Sequence, residues 1–242
     1  MSRHVRILSL VFCFAAVTLS GAVLAAQAGL PKHIQANYEV TKNGQPFARV
    51  KEDFAVTGNT YKVESITKGL GIYALFGERK LTSTGEVTAG GLKPSHFELQ
   101  QGDNPQKALI ADFNWPKNTL RMLVKGSTQD VALTAGTQDL ASYAYQFMFL
   151  PAPLKDAITV NLTTGKKLNQ YPYKINAEQE VLDVAGVQYK TLHLVPPEQN
   201  KPQTETKELW LSAEHHYVPV RIMMIDEHGQ KLEQTLTELH VE

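Results

Sequence analysis

The feature that most restricts the fold of this chain is a two-residue rhythm repeated along most of its length. In "ARVKEDFAV", Ala48, Val50, Phe54 and Val56 fall on one side, with Arg49, Lys51 and Asp53 on the other. Successive side chains of a strand point to opposite faces, so this pattern marks strands that bury one face. "TYKVESIT", "SHFELQ", "TLRMLVK", "ITVNLTT", "VQYKTLHLV" and "KELWLS" repeat the rhythm. Turn-forming clusters separate the runs: "KNGQP", "TGN", "AGGLKP", "QGDNP", "KGS" and "EHGQ". Short strands at this spacing predict about ten to twelve strands in a sandwich, a barrel or a strongly curved sheet. No tandem repeat and no long linker interrupts them, which points to one β-rich domain over residues 29–242.

The first 28 residues stand apart from that domain. Arg3 and Arg6 make a basic start, an almost wholly apolar run extends from Ile7 to Ala25, and Ala26-Gln27-Ala28 forms a small-residue exit. This is the pattern of a cleaved secretory signal over residues 1–28, with Ala25 as a second cleavage position. A retained membrane anchor is the alternative, since the run is just long enough to span. Cys13 lies inside the run behind Val11 and Phe12, where a lipid-modified cysteine would need small neighbours. Cleavage removes Cys13, the only cysteine of the chain. The remaining domain then has no disulfide, no thiol nucleophile and no cysteine metal site, as suits an oxidising compartment. The expected location is the periplasm, with no stable membrane anchor after cleavage.

The full chain carries 24 basic and 24 acidic residues. Loss of Arg3 and Arg6 leaves a slight acidic excess, and no basic stripe appears. Nucleic acid is therefore not an expected partner.

Two segments break the rhythm. In "TQDLASYAYQFMFLPAP", Asp139 is placed to cap a helix, and Leu140, Tyr143, Ala144 and Phe147 follow at helical spacing. Tyr145, Met148 and Phe149 make the other side apolar too, and Pro151 and Pro153 stop the run. A helix apolar all round is normally buried. The expectation is one central apolar helix, packed inside the curve of the sheet or against one end of a barrel. In "KGLGIYALFGERK", Gly69, Gly71 and Gly77 punctuate Leu70, Ile72, Tyr73, Leu75 and Phe76. This reads either as an apolar loop that meets a ligand, lipid or partner, or as a buried strand with a glycine bulge. It matches neither glycine-rich nucleotide motif. Leu70, Ile72, Tyr73, Leu75 and Phe76, with Tyr143 and Phe147 of the helix, are the candidate ligand-binding residues.

Catalytic and metal signals are thin. His215 and His216 are adjacent, so on a strand they would point to opposite faces. His228 lies beyond "YVPVRIMMID", a strand of roughly 30 Å at ~3.3 Å per residue. "SAEHHY" therefore reads as a hairpin turn rather than a metal site. No GxSxG elbow is present, Ser142 has no partner readable from the sequence, and Asp139 is better explained as a cap than as a base. No catalytic residue, metal or cofactor is assigned.

The late pattern W-L-S-x6-P-V-R-I carries Trp210, Pro219 and Arg221 in "LWLSAEHHYVPVRI". With the early "ANYEV" around Tyr38 and the central "QDLASYAYQF", it resembles the domain of unknown function 3108 family of bacterial envelope proteins. The resemblance spans most of the chain after the signal and brings no known reaction with it. In architecture the chain is also similar to the lipoprotein carriers, which wrap a curved antiparallel sheet around helices, although one helix is read here rather than several. Arg221 is expected either in a buried ion pair or with its head reaching solvent along an apolar stem. Three functions are compatible with these readings. The first is periplasmic binding of an apolar ligand (a lipid, an acyl chain or an apolar peptide) in a groove of the sheet. The second is a structural or protein-interaction module of the envelope. The third, with least support, is a hydrolase whose site assembles only in space.

Overall fold

The computed structural model describes residues 29–102, 108–149, 157–197 and 205–242. The predicted signal segment, Cys13 and the proline stop of the predicted helix lie outside these residues. Within them, fifteen strands join into one sheet, more than the alternation alone resolves.

The sheet is a long meander whose two ends meet in its middle. β1 (His33–Lys42) pairs with β2 (Gln45–Thr57) on one side and with the last strand, β15 (Lys231–Val241), on the other. One arm runs outward through β3 (Thr60–Gly69), β4 (Arg79–Thr88), β5 (Gly91–Gln101), β6 (Leu109–Asn114) and β7 (Thr119–Val124) to β8 (Ser127–Ala132). The second arm runs from β15 through β14 (Pro219–Ile225), β13 (Thr206–Ser212), β12 (Val187–Val195) and β11 (Leu168–Val184) to β10 (Ile158–Thr163). A two-residue strand, β9 (Gln138–Asp139), ends this arm and pairs in parallel with β10.

The sheet curls but does not close, and β8 and β9 remain as its edges. The two arms nevertheless touch through side chains. Thr163 Oγ1 of β10 lies 3.5 Å from Met122 Sδ of β7. The turn after β10 bears on Phe97 and Leu109, close enough that a Cβ at Gly165 would crowd both. Inward residues of both arms thus share one core: Phe54, Val63, Phe97, Leu120, Leu162, Leu194, Leu209 and Leu211. That shared apolar burial is what holds the curl.

The central helix expected from the sequence is corrected. The α-helix of the described residues, α1 (Tyr143–Gln146), has four residues and continues only as a 3-10 turn over Phe147–Phe149. The cause is upstream. Gln138 and Asp139 are committed to pairing with β10, so helical backbone cannot begin at the predicted cap. Asp139 does bond the N–H groups of Ala141 and Ser142, at 2.9 Å each, but around a turn that precedes the helix. Its other oxygen accepts from Ser83 Oγ at 2.6 Å, fastening the turn to β4. Gln146 accepts from the Leu92 N–H at 2.7 Å, and the Gln138 amide donates to the Leu92 carbonyl at 2.8 Å. The segment is a short buried clasp on β5 and not a central element, although Phe147 and Tyr145 are among its most buried side chains.

The glycine-punctuated segment is a 3-10 helix over Gly71–Phe76, not a buried strand. Gly71 and Gly77 have φ of 56° and 74°, left-handed values that glycine adopts without strain. At Gly69 the turn folds back so tightly that a Cβ would collide with the Tyr73 carbonyl.

Candidate functional site

The inward face of the sheet is apolar along most strands and charged at three in-phase positions. On β2, Glu52 sits between Val50 and Phe54. On β4, Arg79 precedes Leu81 on the same face. On β13, Lys207 is in phase with Leu209 and Leu211. These residues border a cavity of about 310 Å³ inside the curve. Val50, Leu81, Leu140, Ile222 and Met224 supply its apolar wall, with Ser65, Tyr143 and Tyr171 among the polar groups. Arg79 also borders a cavity of about 370 Å³ towards the 3-10 helix, lined by Phe47, Tyr73 and Phe76. Lys207, Tyr171 and Glu205 also border a third cavity, of about 440 Å³, along β11.

Lys207 is buried, at 6% exposure. Its ammonium lies 4.9 Å from the centre of the Tyr143 ring and 5.6 Å from that of Tyr171. Such cation–π contacts offset only part of the lost hydration. Burial lowers its pKa from 10.5 to about 8, with the charge of Glu205 acting weakly the other way. Arg79 is also drawn down from its ordinary value by burial. Among the described residues neither cation forms an ion pair. Glu52 meets hydroxyl groups instead of cations: Tyr145 donates to it at 3.0 Å and Ser65 at 3.2 Å. Burial raises its carboxyl pKa, against these two bonds. The arrangement is a chamber of mixed apolar and polar lining, with two cations that form no ion pair among the described residues and two carboxylates, Glu52 and Glu205, at its border.

The residues singled out by the sequence divide. Tyr143 lines the inner chamber, and Tyr73 and Phe76 line the outer one. Tyr73 packs on Phe47, ring centres 4.5 Å apart. Ile72 and Leu75 are 73% and 87% exposed and, with Leu70, line none of the three cavities. Phe147 is core-packed and lines none of the three either. The structure adds Glu52, Arg79 and Lys207.

The histidine pair lies in the turn between β13 and β14, and His228 lies in the turn at the other end of that hairpin. His215 Nδ1 is 2.9 Å from Ser212 Oγ, and His216 has a left-handed φ of 52°. Among the described residues no three metal-binding side chains converge. Arg221 takes the ion-pair alternative: its Nε is 3.4 Å from Glu233, and its guanidinium lies over Trp210 at 5.7 Å.

No curated protein matches this sequence. In structure the chain is similar to a β-barrel-like protein of domain of unknown function DUF1849 from Brucella abortus, with a TM-score of 0.53. The similarity spans 88% of this chain and 98% of that one at 12% identity, so it concerns the fold alone. The family model "Protein of unknown function (DUF3108)" matches residues 37–237, and the chain belongs to that family.

Proposed function

We propose that this chain is an exported, non-enzymatic binding protein of the bacterial periplasm that holds an apolar ligand, a lipid or acyl chain, inside the curve of its sheet. The observation that carries the reading is the inner cavity, walled by Val50, Leu81, Leu140, Ile222 and Met224. At about 310 Å³ it reaches the range of small-molecule sites, and a second cavity shares Thr67 and Arg79 as bordering residues. Beside that outer cavity stand the exposed side chains of Ile72, Leu75 and Phe76. Apolar groups clustered in water mark surfaces that meet other apolar matter.

Native mass spectrometry of the protein purified from its own envelope tests the binding, followed by organic extraction and identification of the released compound. A bound species carrying an alkyl chain is expected. A ligand-free protein that also ignores added fatty acids, alcohols and phospholipids refutes the reading. The same intact mass tests export, with Gly29 expected as the first residue and a species retaining Cys13 as the contrary result.

A further inference from the structure

The two inward cations have no role in a purely apolar chamber. An ammonium withdrawn from water is expensive unless something compensates it. Among the described residues, Lys207 has only the ring faces of Tyr143 and Tyr171. Met or Leu would fill the same place on β13 without that penalty. Arg79 stands on β4, on the far arm of the sheet, and borders the same cavity. The neighbouring carboxylates do not neutralise them. Glu52 is engaged by Tyr145 and Ser65, and Glu205 is beyond ion-pair distance of Lys207.

We propose that Arg79 and Lys207 are the anion-recognition end of this cavity, and that its ligand is a single-chain amphiphile with a carboxylate or phosphate head. This rests on the binding reading above and specifies its ligand class. The head lies between the guanidinium and the ammonium, which approach it from opposite arms. The chain lies along Leu81, Leu140, Ile222 and Met224. Serine and tyrosine hydroxyls at Ser65 and Tyr171 complete a polar collar around the head. A cationic amphiphile is disfavoured by the two charges, and a neutral one of equal length leaves them unsatisfied.

The test compares four probes of one chain length against delipidated protein by isothermal titration calorimetry: dodecanoate, dodecyl phosphate, dodecanol and dodecyltrimethylammonium. Dodecanoate and dodecyl phosphate are expected to bind at least 10-fold more tightly than the other two, since a charge-assisted bond corresponds to roughly a 10- to 100-fold effect. The stronger of the two anions distinguishes a carboxylate head from a phosphate head. Lys207→Met should lose that preference and keep its dodecanol affinity, whereas Lys207→Arg should retain it. Arg79→Met supplies the same comparison from the other arm, so a folding failure of one variant does not leave the proposal unexamined. Dodecanol bound as tightly as dodecanoate overturns the head-group assignment while leaving the apolar-binding reading intact. Failure of the wild-type protein to bind any of the four sinks both. An anion preference unchanged in both Lys207→Met and Arg79→Met also overturns the assignment.

Discussion

Asp139 offers a direct test of how the clasp is held. Its carboxylate is fully buried and accepts from Ser83 Oγ and from the backbone of Ala141 and Ser142. Burial outweighs these bonds and raises its pKa from 3.8 to about 6. The protonated form is therefore favoured in the folded state by roughly 2 pK units, or about 3 kcal/mol at 1.36 kcal/mol per unit. A group raised in this way contributes stability that is complete below about pH 4 and is lost as pH rises through about 6. Asp139→Asn removes the titration and keeps the geometry. The amide oxygen still accepts from Ala141 and Ser142. Its NH2 donates to Ser83 Oγ, whose hydroxyl proton turns to Tyr61, 3.0 Å away. Urea unfolding of both proteins at intervals from pH 4 to pH 8 provides the measurement. Taking the difference at each pH cancels other titrating groups, Glu52 among them. The variant should gain on the wild type by about 2.5 kcal/mol across that range, most of it between pH 4 and pH 6. A difference that stays flat with pH refutes the reasoning.

Two further substitutions probe the clasp and the hairpin turn. Phe147→Ala should cost about 3–5 kcal/mol as a buried aromatic truncation, with Phe149→Ala, which is only partly buried, clearly milder in the same denaturant series. Replacing His215 and His216 together by alanine should change stability by less than about 1 kcal/mol, measured by thermal melting, as expected at a surface turn.

The strands were legible because their signal is local. Val50 and Phe54, or Leu209 and Leu211, state by spacing alone which face is buried. The direction of the sheet's arms was not, because β1 pairs with β15 across nearly the whole chain and no local pattern encodes that register. The helix was overread for a related reason. The spacing of Leu140, Tyr143, Ala144 and Phe147 is helical, but a two-residue pairing with β10 overrides it at the N-terminal end. The cavity lining was partly legible. Apolar residues outside the rhythm drew attention to Tyr73, Phe76 and Tyr143, which border the cavities, and to Phe147, which packs in the core. Glu52, Arg79 and Lys207 had a signal that went unused: each is a charge in phase with an apolar face. Arg49, Lys51 and Asp53 fit the alternation and say nothing, whereas Glu52 violates it and points inward.

Lys207 joins stability to binding, and the sign of its effect separates a structural cation from a recognising one. The folded state lowers its pKa from 10.5 to about 8, so the charged form is disfavoured by roughly 2.5 pK units, or about 3 kcal/mol. That penalty is complete below about pH 8 and fades as pH rises from 8 towards the unfolded value near 10.5. Lys207→Met keeps the length of the stem, removes the penalty and forfeits cation–π contacts with Tyr143 and Tyr171 worth about 0.5–2 kcal/mol. At pH 7 the variant should be more stable than the ligand-free wild type by about 1–3 kcal/mol. By pH 10 most of that gap should have closed. Denaturant melts at the two pH values decide it. A Lys207→Met protein less stable than wild type at pH 7 would mean that the ammonium already has a counterion within the fold, and the case for an anionic head group would fall with it. A variant that is more stable but no longer prefers dodecanoate identifies a cation that costs stability and serves binding, the trade-off expected at a functional site.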